Sequence, residues 1–243
     1  MLFAQKLKSY FANIALRSPK LSDFAGAAIV AAKKHARAKK NDVFDCFVIP
    51  QKPFLQAIAQ LNDKNINREK GIQSRTQALV RVTSVHFTYV DIQNTNGELS
   101  FFILDAAGAP EAVALSKEIQ KQHPNAKVFY CLQRIQKDGE SCFNFSLSHA
   151  ESFSKIKDWH SQLSAFAAEG ILKQDIQGDE KQGPYILERK HIPIQAFKQA
   201  HRQEIGIKEL LTRDEVETMR PVNKYDESLS KHLQRHQIPL DKR

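Results

Sequence analysis

The chain has 243 residues, of which 42% are hydrophobic, with three cysteines and a formal net charge of +9. This length suits one domain or one domain with extensions, and so few cysteines argue against a disulfide scaffold and favour a reducing compartment. The longest apolar run, residues 25–32, is too short to span a bilayer, and the first eleven residues lack the apolar core of a secretory signal. We therefore expect a basic globular protein with no integral membrane segment.

The positive charge is concentrated at the N-terminus. Residues 1–40 hold nine lysines and arginines but one aspartate, and the densest segment is KKHARAKK at residues 33–40. Such a run is often a solvated helix face, and it can also attract nucleic acid, an anionic membrane or a compact polyanion. Few aromatic residues interleave with it and no nucleic-acid-binding fold signature is present, so nucleic acid is not an expected partner.

The first elements in the chain are expected to supply scaffold. Apolar spacing predicts a helix over residues 21–40, a strand over 43–49 that stops at Pro50, and a helix over 54–61. Residues 62–76 are polar and are expected to form a loop.

Two β-rich segments follow, joined by Asn96-Gly97, which is the strongest short-range signal of a β-hairpin. If these two residues form the whole turn, His86 is the diagonal neighbour of Asp105 on the same face of the hairpin. A four-residue loop places the two residues directly opposite each other, so the sequence predicts contact in either register. An imidazole oriented by a carboxylate is the pair that a nucleophilic residue requires.

Helices and a strand alternate again beyond the hairpin. The spacing predicts a helix over residues 110–122, a strand over 128–135, a helix that begins at Cys142 and a second helix over 156–170. Residues 174–184 have the polarity and the glycines of an exposed loop.

Cys142 is the candidate nucleophile, because backbone N–H groups and the helix dipole stabilise the thiolate at a helix N-terminus. Cys46 and Cys131 lie in apolar strands and are expected to be buried core thiols. Gln136, six residues before Cys142, is placed to donate to an oxyanion, and His149 is expected to face away from the sulfur. No spacing of Cys and His indicates a zinc site.

Each of these residues also has an ordinary structural interpretation. A strand histidine is usually a hydrogen-bonded structural residue, an aspartate at a strand end is usually a cap or turn former, and a cysteine before a helix is usually buried. Gln136 alone could be a surface glutamine. The hairpin geometry together with the position of Cys142 at a helix start favours a Cys-His-Asp triad.

Three segments, and a fourth more weakly, carry a resemblance to a known family. They are HFTYVD with TNGELSFFILD, IQKDGESCFNFSL, PVNKYDESL and the weaker IPIQAFKQAHRQ. These segments are similar to motifs of the YopJ-family effector acetyltransferases, which share a clan with the ubiquitin-like-protein cysteine proteases. The order His86, Asp105, Cys142, with Gln136 before the cysteine, matches the catalytic order of that clan. The resemblance covers residues 80–236.

The resemblance implies an α+β fold. We expect a papain-like cysteine-protease clan core with a central mixed sheet flanked by helices, plus helical N- and C-terminal extensions that form a regulatory region. Residues 1–40 would form the basic N-terminal extension, residues 41–170 the catalytic core, and residues 171–243 a C-terminal regulatory segment that packs on the core.

The implied activity is transfer of acetyl from acetyl-CoA, through a thioester on Cys142, to Ser, Thr or Lys of host target proteins. The family implies a bacterial effector that is secreted by an injection system, acts inside the host cell and is activated by inositol hexakisphosphate. We expect a monomer. Basic residues in or near the matching C-terminal motifs are expected to hold the polyanion; they are Lys198, Lys224, Arg189, Lys190, Arg202 and Arg220.

The sequence also departs from the family pattern. Phe143 follows the cysteine where Gly is common, the acid is Asp105 where many members have Glu, and no His follows Lys198. Phe143 could narrow the acyl pocket or mark a degenerate enzyme. Two alternatives therefore stay open, a ubiquitin-like-protein cysteine protease with the same thioester chemistry and a catalytically dead basic binding module.

Overall fold

The computed structural model describes residues 21–61, 73–132, 134–136, 141–176, 182–197, 226–228 and 231. Its α-helices are α1 (Leu21–Ala38), α2 (Gln51–Ala59), α3 (Pro110–Gln122), α4 (Cys142–Phe153) and α5 (Trp159–Ala168). Its strands are β1 (Cys46–Pro50), β2 (Gln73–Arg81), β3 (Phe87–Thr95), β4 (Glu98–Asp105), β5 (Lys127–Leu132), β6 (Lys173–Gln174) and β7 (Tyr185–Ile186). Two 3-10 turns follow, at Arg189–His191 and Ile194–Phe197.

The strands form one mixed sheet in the order β1-β2-β3-β4-β5-β7-β6. The pairs β2-β3, β3-β4 and β6-β7 are antiparallel, whereas β1-β2, β4-β5 and β5-β7 are parallel. Because of these directions, β2, β4 and β5 all end at the same edge of the sheet and β3 begins there. The sequence prediction of an α+β fold with a central mixed sheet is confirmed.

Helices cover both faces of the sheet, which explains the nearly continuous apolar runs of the central strands. Helices α1, α4 and α5 pack on one face over a core that includes Tyr89, Phe102 and Trp159. Helices α2 and α3 pack on the other face over a core that includes Ile103 and Val128. Alternate residues along each strand therefore enter different cores.

The β3-β4 hairpin has the predicted two-residue turn. Thr95 pairs with Glu98, and the register continues to the pair of Tyr89 with Leu104. Asn96 and Gly97 have φ angles of 54° and 93°, the left-handed backbone that a two-residue hairpin turn of the primed type requires. The diagonal register between His86 and Asp105 follows from this turn.

Strand β2 begins earlier than predicted. The expected loop over residues 62–76 is wrong for residues 73–76, which belong to β2, and residues 62–72 lie outside the described part of the chain. The segment looked like a loop because Gln73 to Gln77 is polar. In the structure a polar side chain of this segment has its partner inside the protein, because Arg75 forms an ion pair with Asp91 of β3.

Asp91 is fully buried at the centre of a polar cluster beneath α5. The Nε of Arg75 donates to Asp91 Oδ1 at 2.9 Å, and the Tyr89 hydroxyl donates to Asp91 Oδ2 at 2.7 Å. His160 Nε2 lies 3.5 Å from Asp91 Oδ1. Burial alone raises the pKa of Asp91, but the charge and hydrogen bonds of Arg75 lower it well below its usual value.

The basic run at the end of α1 is partly used in packing. Lys34 Nζ lies 3.9 Å from the centre of the Phe47 ring, and Arg37 forms a two-pronged ion pair with Asp42. Lys39 and Lys40 are exposed. Among the described residues, no helix combines the length and apolarity needed to cross a membrane.

Candidate active site

The candidate catalytic residues lie at the edge of the sheet where β2, β4 and β5 end. A tight turn joins β2 to β3 and fixes the backbone of His86. The Thr83 hydroxyl oxygen accepts hydrogen bonds from the backbone N–H groups of Val85 at 3.3 Å and His86 at 3.0 Å, and the Val82 N–H donates to the His86 carbonyl at 2.9 Å. His86 is thereby held just before the first residue of β3.

Asp105 is the last residue of β4 and is fully buried. Its Oδ2 lies 2.7 Å from His86 Nε2, and its Oδ1 accepts hydrogen bonds from the backbone N–H groups of Ala107 and Ala109, each at 3.0 Å. Burial by itself raises the pKa of Asp105, but the hydrogen bonds from His86 and Ala109 lower it overall. An ionised carboxylate only accepts hydrogen bonds, so His86 Nε2 carries the proton in this contact.

Cys142 is the first residue of α4, as predicted, and its sulfur lies 3.1 Å from the Val85 carbonyl oxygen. His86 lowers the pKa of the Cys142 thiol, so these two side chains lie close together. Since His86 Nε2 is occupied by Asp105, the ring nitrogen left for the sulfur is Nδ1. Asp105, His86 and Cys142 thus form a series in which His86 is hydrogen-bonded to Asp105 and lies beside Cys142.

The electrostatics of this series favour an ion pair. Burial raises the pKa of the Cys142 thiol, but the hydrogen bonds from His86 and from backbone N–H groups outweigh burial and lower it. Burial lowers the pKa of His86, but the hydrogen bonds to Asp105 and Cys142 raise it to about 10. A lowered thiol pKa beside a raised imidazole pKa favours transfer of the thiol proton to His86, which gives the reactive form of such a pair.

Gln136 is buried and lies on the segment that leads from β5 toward α4. Its backbone N–H donates to the carbonyl of Ala106 at 3.0 Å, which ties this segment to the residue after Asp105. Residues 137–140, between Gln136 and the turn before Cys142, lie outside the described part of the chain. A donor role for the Gln136 amide therefore stays a prediction.

Phe143 has packing partners on two sides. Its ring makes an edge contact with Phe87, with ring centres 5.3 Å apart and an angle of 81° between the planes. The opposite contact is with Gly26 of α1. The bulky residue after the cysteine therefore has a packing role in the fold, between Phe87 and Gly26.

His149 was expected to face away from the sulfur of Cys142, and the contacts of its ring are with Tyr89 and Phe145. Seven residues span almost two turns of an α-helix, so both side chains lie on the same buried face of α4. His149 is fully buried between Tyr89 and Phe145, and neither of its ring nitrogens has a hydrogen-bond partner. Burial lowers the pKa of His149 to about 3. The seven-residue spacing was the signal that could have revealed this position.

The expected polyanion ligands are only partly described. Arg189 and Lys190 lie on a 3-10 turn, where Lys190 Nζ is 2.8 Å from Glu188 Oε2 and both of these side chains are 64% exposed. The remaining expected ligands lie outside the described residues; they are Lys198, Arg202, Arg220 and Lys224. Within the described residues, no cluster of His, Cys, Asp and Glu could hold a metal ion.

An open cavity of about 540 Å³ lies behind the turn that precedes His86. Its lining comes from α2, the end of β2 and the end of α3; the lining residues are Gln51, Lys52, Leu55, Gln56, Ala59, Arg81, Val82, Thr83 and Gln122. Neither His86 nor Cys142 lines this cavity, so it is separate from the candidate active site.

The chain matches a family model described as YopJ Serine/Threonine acetyltransferase over residues 4–242. A search among curated protein sequences returns no match. Among solved structures, an AvrA deletion variant with IP6 and CoA is similar, at 15% identity and a TM-score of 0.65 over 100% of this chain and 92% of that one. HopZ1a in complex with IP6 and CoA is similar at 12% identity and a TM-score of 0.57, over 98% of this chain and 88% of that one.

The two solved structures share the fold of this chain. The family match is wider than the resemblance found in the sequence, which covered residues 80–236, and it extends nearly to both termini. It therefore confirms that resemblance. The chain belongs to the YopJ serine/threonine acetyltransferase family.

Proposed function

We propose that this protein transfers acetyl groups to other proteins through a thioester on Cys142. The observation that carries this proposal is the series of Asp105, His86 and Cys142, in which His86 Nε2 lies 2.7 Å from Asp105 Oδ2 and His86 lowers the pKa of the Cys142 thiol. Cys142 serves as the nucleophile and His86 as the base, while Asp105 fixes the tautomer of His86 and favours its protonated form.

In the first half-reaction, the proton of the Cys142 thiol passes to His86 Nδ1. The thiolate attacks the carbonyl carbon of the acetyl donor and a C–S bond forms. As the tetrahedral species collapses, the bond to the donor's sulfur breaks and His86 returns the proton to the leaving thiolate. Acetyl is then bound to Cys142 as a thioester, with no change of oxidation state.

The Gln136 side-chain amide and the backbone N–H of Cys142 serve as donors to the tetrahedral oxyanion. Two features support this assignment. Cys142 is the first residue of α4, so its N–H has no intrahelical acceptor. The backbone N–H of Gln136 donates to the carbonyl of Ala106, which directly follows Asp105, so Gln136 is held near the acid of the site.

In the second half-reaction, a serine or threonine hydroxyl, or a lysine amine, of a target protein attacks the thioester. His86 takes the proton of the acceptor as the new bond to the acetyl carbon forms, and Cys142 leaves as the thiolate. The description of the family favours Ser and Thr as acceptors.

The acetyl donor is acetyl-CoA and the activator is inositol hexakisphosphate. The solved structures of AvrA and HopZ1a with IP6 and CoA support both assignments, because this chain shares their fold. Arg189 and Lys190 suit a polyanion, since they are adjacent cations on one turn, where Lys190 is exposed and Arg189 is half-buried. Binding would displace Glu188 from Lys190, which costs little because solvent screens an exposed ion pair. Lys198, Arg202, Arg220 and Lys224 would complete the site.

We further propose that the protein is a bacterial effector that an injection system delivers and that acts as a monomer on host proteins. Residues 1–40 and 171–243 would regulate a catalytic core at residues 41–170. Family membership supports the effector role.

Incubation with radiolabelled acetyl-CoA, with and without inositol hexakisphosphate, tests the proposal. We expect label on the native protein that requires the polyanion and is absent from Cys142→Ala. Cys131→Ala is the matched control, because that thiol is buried in β5, and it should keep the label. If the folded native protein takes no label but a ubiquitin-like propargyl probe captures Cys142, the protein is a protease and the proposal is wrong.

A further inference from the structure

Helix α1 packs beside α4 through polar contacts near the C-terminal ends of both helices. Lys33 Nζ lies 2.6 Å from Glu151 Oε1, and Arg37 Nη1 donates to Ser154 Oγ at 2.9 Å. These contacts join residues that are more than a hundred positions apart in the chain. Helix α1 is therefore tied to the rigid element that begins at Cys142.

Near the opposite ends of the two helices, Gly26 of α1 faces the ring of Phe143. A Cβ atom added at Gly26 would lie 2.7 Å from Phe143 Cε2 and 3.2 Å from Phe143 Cζ, closer than ordinary Cβ contacts. Gly26 is buried, and glycine is a poor helix former. The close approach of the ring gives a physical reason for a glycine at this point of a helix.

The same ring also contacts β3. Phe143 and Phe87 meet edge to face, an arrangement that aromatic pairs favour. Phe87 directly follows His86, and Phe143 directly follows Cys142. The Ser146 hydroxyl adds a second tie between α4 and β3, since it donates to the Phe87 carbonyl at 3.1 Å. The contact between Phe87 and Phe143 therefore connects the start of β3, next to the base, with the start of α4, at the nucleophile.

We propose that Gly26 and Phe143 form a positioning contact through which α1 sets the approach of Cys142 to His86. This inference rests on the proposed function, because it assigns the contact to that catalytic pair. The ring of Phe143 fills the space between α1 and the start of β3. A larger residue at position 26 displaces the ring, and the ring displaces the neighbouring nucleophile.

Gly26→Ala tests the contact, with the rate of Cys142 alkylation by iodoacetamide measured against pH and the modified residue located by mass spectrometry. Alanine is the better helix former, so a merely structural role predicts an unchanged rate and an unchanged or higher Tm. A positioning role predicts alkylation about three- to tenfold slower near neutral pH, because part of the contact that stabilises the thiolate is lost and tenfold corresponds to one pKa unit.

Two further variants complete the experiment. Ala28→Val adds side-chain atoms on the exposed side of α1 and should leave the rate unchanged. Phe143→Leu in the Gly26→Ala background makes room for the new methyl group and should restore at least part of the rate. If Gly26→Ala does not fold, Phe143→Leu alone carries the test, and slower alkylation supports the contact.

If the alkylation rate of Gly26→Ala equals that of the native protein at every pH, the positioning role is wrong and the proposed function stands. The same holds for Phe143→Leu if Gly26→Ala does not fold. Failure of the proposed function is recognised by comparing the alkylation of Cys142 in the native protein and in His86→Ala. If native Cys142 reacts no faster than Cys142 in His86→Ala, the thiol is not activated by His86, and both proposals are wrong.

Discussion

Asp105 accepts hydrogen bonds through both carboxylate oxygens and therefore serves the fold and the candidate site together. One oxygen holds the loop after β4 through the N–H groups of Ala107 and Ala109, and the other contacts His86. The sequence offered a turn former and a catalytic acid as alternatives at this position. The geometry accommodates both, because the two oxygens point to different partners.

Asp105→Asn should separate the two roles. The asparagine oxygen can still accept from the loop N–H groups, so Tm should change little. The amide cannot stabilise a protonated His86, so we expect acetyl transfer to fall by about 10²- to 10⁴-fold. Asp175→Asn is a matched control, because this carboxylate contacts Lys117 of α3 and Tyr130 of β5 rather than His86, and it should keep the rate. Equal rates in Asp105→Asn and the native protein would contradict the role of Asp105.

His86 should control the ionisation of Cys142. In the native protein we expect the thiolate, followed by its ultraviolet absorbance, to form with a midpoint below pH 9.0, the ordinary pKa of the thiol. In His86→Ala the effect of His86 on the thiol is lost while burial still raises the pKa of Cys142, so the midpoint should move upward. Cys142→Ala supplies the background signal. A midpoint that does not change on loss of His86 would contradict the ion pair.

His149 should make the folded protein sensitive to acid. Its pKa is about 3 when folded and 6.5 in the unfolded reference, so below pH 6.5 the unfolded chain binds a proton that the folded chain does not. The contribution of neutral His149 to stability is complete above pH 6.5 and is lost as the pH falls toward 3, by about 1.4 kcal/mol per pH unit.

His149→Leu removes this proton linkage. Urea unfolding between pH 7 and pH 4 should therefore show a smaller loss of stability in the variant than in the native protein. Tyr89 and Asp105 are the nearby titratable groups, and both are present in the two proteins, so they cancel in the comparison. Parallel pH profiles would show that His149 is not the acid-sensitive group.

The sequence predicted well those elements whose own residues carry a clear pattern of turn formers and apolar positions. The β3-β4 hairpin is an example, because an Asn-Gly turn and two runs of β-rich residues specify both strands and their register. Strand β2 was missed over residues 73–76 because Arg75 is paired inside the protein with a residue sixteen positions away. A polar side chain with a distant buried partner cannot be distinguished from a loop residue in the sequence alone.

The hairpin turn should depend on Gly97 more than on Asn96. Gly97→Ala places a Cβ at a φ of 93°, which should cost about 1–3 kcal/mol of unfolding free energy, measured in urea. Asn96→Gly is the control, since glycine also suits this position of a primed turn, and its effect should be small. The turn lies at the opposite end of the hairpin from His86, so folded Gly97→Ala should keep its activity. Equal stability of Gly97→Ala and Asn96→Gly would contradict this account.

At the scale of the whole molecule, the Asp91 cluster joins strands β2 and β3 to helix α5. Asp91→Ala leaves the Arg75 guanidinium largely buried without its carboxylate, and we expect a loss of about 3–5 kcal/mol in urea unfolding. Replacing both partners, as in Arg75→Met with Asp91→Leu, should cost less than Asp91→Ala alone, because no uncompensated charge remains. A double variant less stable than the single one would argue against this interpretation.

The Asp91 cluster also disfavours other registers of β3 against its neighbouring strands. A slip of β3 by one residue would turn Asp91 away from Arg75 and His160 and into the apolar layer beneath α2 and α3. The identical slip would carry His86 out of reach of Asp105. Misaligned sheets therefore contain a buried unpaired carboxylate, and an ion pair remote from the chemistry selects the one alignment in which the catalytic pair can form.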